Sequence, residues 1–299
     1  MKFLRSLGNI GMGILAMLLS ILLQFILYIP VYLYYTTYLN IKGIAANADF
    51  LTLINNIVSS MFSMNLVVYA TVIWGIAGIF VFSLWYKRIS SNTPKASFKR
   101  DLSGYTVSGL ILISIGAQLF VNYICNILST YFVDEFDQFS KLFDFSTLSY
   151  KATIIMLIYG IFIAPIHEEF LFRGVIFHYM RKGCPFILAN ILQALLFGIL
   201  HMNLVQGTYA FLVGLLLGYI FSRAKNLTTT IVIHVIFNII GSFPILKVLP
   251  GNKLTLNLLV SLIGVIVLVI GCVLYNYYIR ERDLKLKFAA VNKTDNQSE

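Results

Sequence analysis

An all-α, polytopic transmembrane helical bundle of about eight spans is the fold class this sequence predicts, on three observations. Of its 299 residues, 59% are hydrophobic and only 11% are charged, less than half the ~25% charged share of soluble domains. The mean hydropathy is +0.85, so a soluble domain of this composition would lack polar residues to cover its surface. The apolar residues also come in long runs of membrane-crossing length, separated by short polar segments.

Charge and cysteine usage fit the same class. The net charge of +10 comes from 22 Lys and Arg against 12 Asp and Glu. In a soluble chain that would suggest a nucleic-acid partner. Here no basic, aromatic-interleaved module exists to bind one, and the excess reads as topology, because Lys and Arg collect in cytosolic loops. Cys125, Cys184 and Cys272 lie in or beside apolar runs without short spacing. They form neither a disulfide framework nor a zinc knuckle.

Lys2 and Arg5 precede an apolar run over residues 10–35. It is too long for a signal-peptide core and reads as a first span with a cytosolic N-terminus. Residues 36–60, with Asn47, Asp49, Asn55 and Asn56, read as an external loop holding a short interfacial helix. The second span covers residues 61–86, and the basic residues 87–100 form a cytosolic loop. The third covers 105–128 and is followed by an external segment carrying Asp134, Glu135, Asp137 and Asp144. The fourth covers 152–179 and ends at Arg181-Lys182-Gly183-Cys184-Pro185, a tight cytosolic turn. The fifth covers 186–201, with an external turn at 202–207. The sixth covers 208–222, where Gly214-x-x-x-Gly218 permits close helix contact. Arg223 and Lys225 mark the next cytosolic turn; spans at 228–246 and 254–278 follow, joined by an external turn with Pro250-Gly251. The tail, of mixed charge, is expected to be disordered beyond Phe288. On this assignment 16 of the 22 basic residues are cytosolic, five are external and Arg173 is inside the membrane, which puts both termini in the cytosol. The chain divides into N-terminal spans (1–150), a polar core (151–245), a C-terminal span (246–279) and a cytosolic tail (280–299).

The chemistry sits in the fourth span, in Pro165-Ile166-His167-Glu168-Glu169-Phe170-Leu171-Phe172-Arg173-Gly174. Carboxylates are costly there, because hydrocarbon cannot solvate charge, and they mark function by default. A helix sets Glu169 and Arg173 one turn apart, where they pair, and turns Glu168 about 100° away, leaving it for chemistry. Later spans supply His201 and His234, and Asn238 lies one turn after His234. Glu168 and His201 are equidistant from the turn near residue 184, so an antiparallel hairpin places them at equal depth, roughly 20 Å from that turn. A carboxylate, two imidazoles and a carboxamide in one wet cavity suit peptide-bond hydrolysis. Glu168 is the candidate general base on a water, with His201 holding that water. His234 and Asn238 are the candidate oxyanion donors, and Glu169 with Arg173 the supporting pair. The same Glu168, His201 and His234 are also a possible zinc set. Nothing in the spacing decides between the two, so the cofactor stays open.

These motifs, Pro165-x-x-Glu168-Glu169-x-x-x-Arg173-Gly174, Phe197-x-x-x-His201 and His234-x-x-x-Asn238, closely resemble the CAAX-protease and bacteriocin-processing family of intramembrane endopeptidases, which includes the eukaryotic prenyl-protein endopeptidase. The resemblance covers residues 150–245, about a third of the chain. It implies that Glu168 is the catalytic glutamate, His201 its water-binding partner, and His234 with Asn238 the oxyanion pair, supported by Glu169 and Arg173. It also implies a peptide or protein substrate near the membrane, and a bacterial plasma membrane as location. The family is often described as metalloproteases, and a metal-free glutamate mechanism has also been argued for it.

Blander readings stand beside these. His178 reads as a packing residue, and His167 has both a packing and a site role open. The polar set as a whole could be a buried network holding helices together. The alternative functions are a non-catalytic membrane partner that binds peptides or a signalling protein, and a proton-coupled transporter. The latter would be expected to show paired half-repeats, which this sequence lacks.

Overall fold

The computed structural model describes residues 2–45, 49–52, 54–55, 64–91, 103–141, 144–242 and 254–295. All regular structure among them is helical: α1 (Lys2–Ala45), α2 (Met64–Ile89), α3 (Gly104–Tyr131), α4 (Val133–Lys141), α5 (Tyr150–Gly183), α6 (Phe186–Leu200), α7 (Leu204–Ala224), α8 (Leu227–Ser242) and α9 (Leu254–Asp295). Residues 50–52 and 54–55 are also helical, in the segment expected to be interfacial, and the Asp49 carboxylate accepts from the Thr52 amide at 2.7 Å. Residues 92–102 and 243–253, most of one expected loop and all of another, lie outside the described set, as does 296–299.

The chain is an integral membrane protein: α1, α2, α3, α5, α7 and α9 are each long and apolar enough to cross a bilayer. Two of the eight expected spans are shorter. α6 has 15 residues and α8 has 16 among the described residues, about 22 and 24 Å of rise against a hydrocarbon core of ~30 Å. α6 ends within one residue of the expected 201, and local geometry sets that end. The amides of His201 and Met202 bond back only three residues, to Gly198 and Ile199 at 3.2 and 3.0 Å. Met202 then takes φ of 50°. Asn203 caps the next helix by accepting from the Gln206 amide at 3.0 Å, so α7 begins four residues before the expected start. The tail also differs from expectation, since α9 continues to Asp295. Its Leu, Lys, Arg and Ala are good helix formers, and Glu281 approaches Lys285 at i, i+4.

The chain packs as two compact units, one made of Met1–Ser91 with Gln138–Leu196 and the other of Asn92–Asp137 with Phe197–Glu299. In the first, α5 packs on α1 and α2. Its N-terminus is fixed by Ser149, whose hydroxyl accepts from the Ala152 amide and whose amide and hydroxyl both donate to Asn65 Oδ1. In the second, α3 and α9 form the most extensive helix pair. Gly109 and Gly116 of α3 meet Gly271 and Gly264 of α9, and a Cβ at Gly116 would lie 2.5 Å from the Gly264 carbonyl oxygen. Leu110, Ile113, Ala117, Val121, Val213, Leu217 and Phe237 form the core between α3, α7, α8 and α9. Arg282 of α9 donates to the Arg223 and Ala224 carbonyls, holding the α7–α8 turn.

Candidate active site

Two wide turns bracket the acidic motif on α5. The helix opens into i→i+5 geometry at Tyr159–Ile163, returns to α over Ala164–Glu169, and opens again at Phe170–Ile176. Pro165 accounts locally for the first, because a proline cannot donate to the carbonyl one α-turn back and its ring crowds that carbonyl. The Ala164 amide bonds to the Tyr159 carbonyl and the Phe177 amide to the Phe172 carbonyl, five residues back in each case. Such bulges occur frequently at functional sites.

The two adjacent glutamates receive different environments. Glu169 accepts from Arg173 Nη1 at 2.9 Å, and both side chains are fully buried. Glu168 is only partly buried and lies within electrostatic reach of Tyr159 and Arg173. This is the division expected from helical geometry. A buried pair of this kind is held by its mutual attraction, since either charge alone in a low-dielectric interior is strongly unfavourable.

His167 turns to a third side. Its imidazole is fully buried, edge-on to Trp74 at 4.7 Å and stacked over Phe82 at 5.7 Å. Its Nε2 lies 3.5 Å from Ser20 Oγ, and Trp74 Nε1 donates to the Ser20 carbonyl at 3.0 Å. The ring occupies the notch of Gly78, where any Cβ would collide with it. This aromatic setting gives His167 a packing role. Partly buried His178 lies edge-on to Tyr179.

The second unit positions the other candidates. His201 follows the last turn of α6 and is partly exposed, with Nδ1 2.8 Å from the Phe197 carbonyl oxygen. A carbonyl only accepts, so Nδ1 carries the proton and Nε2 of the neutral ring is left as an acceptor. His234 is buried on α8 at 5% exposure. Phe197 is edge-on to both imidazoles, at 4.9 Å to His201 and 6.0 Å to His234. One buried aromatic ring thus brings the two histidines together. Asn238 is partly exposed one turn beyond His234, and Ser242 donates to its carbonyl. Gly198 and Gly207 let α6 and α7 cross closely just before and after this turn, since a Cβ on either would lie within 2.6–2.9 Å of the other's carbonyl oxygen.

Glu168 thus belongs to one unit, and His201, His234 and Asn238 belong to the other. Among the described residues, no three His, Cys, Asp or Glu side chains are gathered so as to hold a metal ion.

Sequence reasoning missed a polar stripe in the second unit. Ser114 and Gln118 on α3 are buried; Ser114 Oγ donates to Leu110 O at 2.9 Å and reaches Ile233 O of α8 at 3.4 Å, and Gln118 donates to Asn122 at 2.9 Å. Gln118 Oε1 lies where a Cβ on Gly241 of α8 would come within 3.1 Å. The i, i+4 spacing of Ser114, Gln118, Asn122 and Asn126 inside an apolar run was the available signal.

Residues 150–240 match the family model described as Type II CAAX prenyl endopeptidase Rce1-like. A curated protein of Bacillus subtilis (strain 168) named "Putative membrane peptidase YdiL" is 27% identical over 88 residues. The match covers 29% of this chain and 36% of that protein, so the chain spans about a third of its relative's length. No solved structure is significantly similar. Residues 150–240 are therefore similar to CAAX-type membrane peptidases.

Proposed function

We propose that this chain is an intramembrane endopeptidase that hydrolyses peptide bonds of membrane-associated proteins or peptides with a glutamate-activated water. The observation that carries the reading is the division of the α5 carboxylates: Glu169 is fully buried against Arg173, while Glu168 is partly accessible. In this reading Glu168 takes a proton from a water, and the water oxygen bonds to the scissile carbonyl carbon. The carbonyl π electrons move onto its oxygen, which accepts hydrogen bonds from His234 and Asn238. His201 orients the water through Nε2. When the C–N bond breaks, the proton held by Glu168 passes to the leaving nitrogen, giving a carboxylic acid and an amine. Glu169 and Arg173 hold the helix turn that presents Glu168. The proposed setting is a bacterial plasma membrane with both chain termini in the cytosol.

The test compares wild type with Glu168→Ala in detergent, against a peptide library that includes prenylated and leader-type sequences. Wild-type cleavage that falls by about a thousandfold or more in Glu168→Ala is the expected result. Cleavage retained in the variant would overturn the assignment of Glu168. Running both with and without a chelator separates the metal-free route from one using zinc on Glu168, His201 and His234, since only the latter loses activity and regains it with zinc.

A further inference from the structure

At one end of the first unit, three helix termini meet. Gly183 at the end of α5 packs against the Ser6 carbonyl and Ile10 of α1, and Gly13 of α1 packs against Met180. Trp85 of α2 donates to the Tyr179 hydroxyl of α5 at 3.3 Å. These contacts bring together the termini that carry Lys2 and Arg5, Lys87 and Arg88, and Arg181 and Lys182. No Asp or Glu occurs on α1, on α2, or on α5 after Glu169, so this end of the unit is cationic without compensation from these helices.

A groove of about 490 Å³ opens there, lined by Leu84, Trp85, Arg88, Ile89 and Tyr179. Its wall is an aromatic pair, with the Trp85 and Tyr179 ring centroids 6.1 Å apart, and Lys182 Nζ lies 5.9 Å from the Tyr179 ring. The exposed Ile73, Ile76, Phe80 and Leu84 form a stripe at helical spacing along α2 that ends at Arg88. Trp and Tyr favour the headgroup level of a bilayer, and cations there attract anionic lipid. An apolar stripe that leads into an aromatic wall and then a guanidinium matches an acyl chain, an interface and a phosphate in that order.

We propose that this groove is a binding site for the headgroup of an anionic phospholipid, with Arg88 and Lys182 on the phosphate, Trp85 and Tyr179 at the ester level and the α2 stripe against the acyl chain. The site is independent of the peptidase reading. The chain has two tryptophans, and Trp74 is buried against His167, so Trp85 is the natural reporter.

The experiment reconstitutes the full chain in phosphatidylcholine vesicles containing either brominated phosphatidylglycerol or the same mole fraction of brominated phosphatidylcholine, and compares tryptophan quenching. The expected result is stronger quenching by the anionic lipid. That excess should be absent in Trp85→Phe and weakened about fivefold in Arg88→Gln, an exposed position. Equal quenching by both lipids would overturn the proposal. So would an excess that survives both Trp85→Phe and the Arg88→Gln, Lys182→Gln double variant. Loss of the excess in millimolar inorganic phosphate at constant ionic strength would assign the site to free phosphate and overturn the lipid.

Discussion

One helix packing in each of the two units uses glycine, and the two purposes are opposite. In the first, Gly78 of α2 makes room for a side chain, the His167 ring of α5, and Gly174 of α5 likewise meets Tyr86. In the second, Gly109 and Gly116 of α3 meet the backbone of Gly271 and Gly264 on α9. The first arrangement fits one helix around a polar residue. The second brings two helices to backbone contact, where dispersion and close Cα approach hold them in a solvent that offers no hydrophobic drive. The difference teaches that a small residue in a span does not by itself say what it is for. What stands opposite decides.

The largest effect should come from breaking the buried ion pair. Glu169→Gln or Arg173→Met alone leaves a charge without its partner, and each is expected to cost about 3–5 kcal/mol. The double variant should recover much of that loss, measured by thermal unfolding in detergent. A double variant no more stable than the singles would show that the pair does more than neutralise itself.

Next, Gly116→Ala sets a Cβ 2.5 Å from backbone atoms of α9, so the helices must separate, at about 1–3 kcal/mol. No side-chain truncation on α9 should relieve it. The three atoms nearest a Cβ at Gly78 all belong to the His167 ring, so the cost of Gly78→Ala, of similar or smaller size, should be relieved in Gly78→Ala, His167→Ala relative to the sum of the two singles. Failure of that rescue would break the contrast between the units. The smallest effect is expected from Asn203→Ala, which removes the α7 cap at about 1 kcal/mol and should show first as faster amide exchange at Gln206.

The legible part of the molecule was the part that conflicts with its solvent. Glu168, Glu169 and Arg173 stand out in an apolar run because lipid cannot hide them, and their i, i+4 pairing follows from one rule of geometry. His234 and Asn238 were legible for the same reason. The start of α7, four residues before the expected 208, was not, since it depends on the Met202 backbone and the Asn203 cap. The glycines of α3 and α9 have the same seven-residue spacing on each helix, Gly109 with Gly116 and Gly264 with Gly271, but spacing acquires meaning only once the partner helix is known. The role of His167 depended on Trp74 and Phe82, more than 80 residues away in sequence.

The two wide turns of α5 have a consequence for anyone who draws this helix as a wheel. Each opening adds about one residue to its turn and advances the azimuth of everything after it by about 100°. Residues before Tyr159, the segment Ala164–Glu169 and the stretch from Phe177 onward therefore run in three different phases. A single-cysteine accessibility scan along α5 should give three short waves of 3.6-residue period, out of step with one another. One unbroken wave from Tyr150 to Gly183 would mean that the helix keeps a single phase in the membrane.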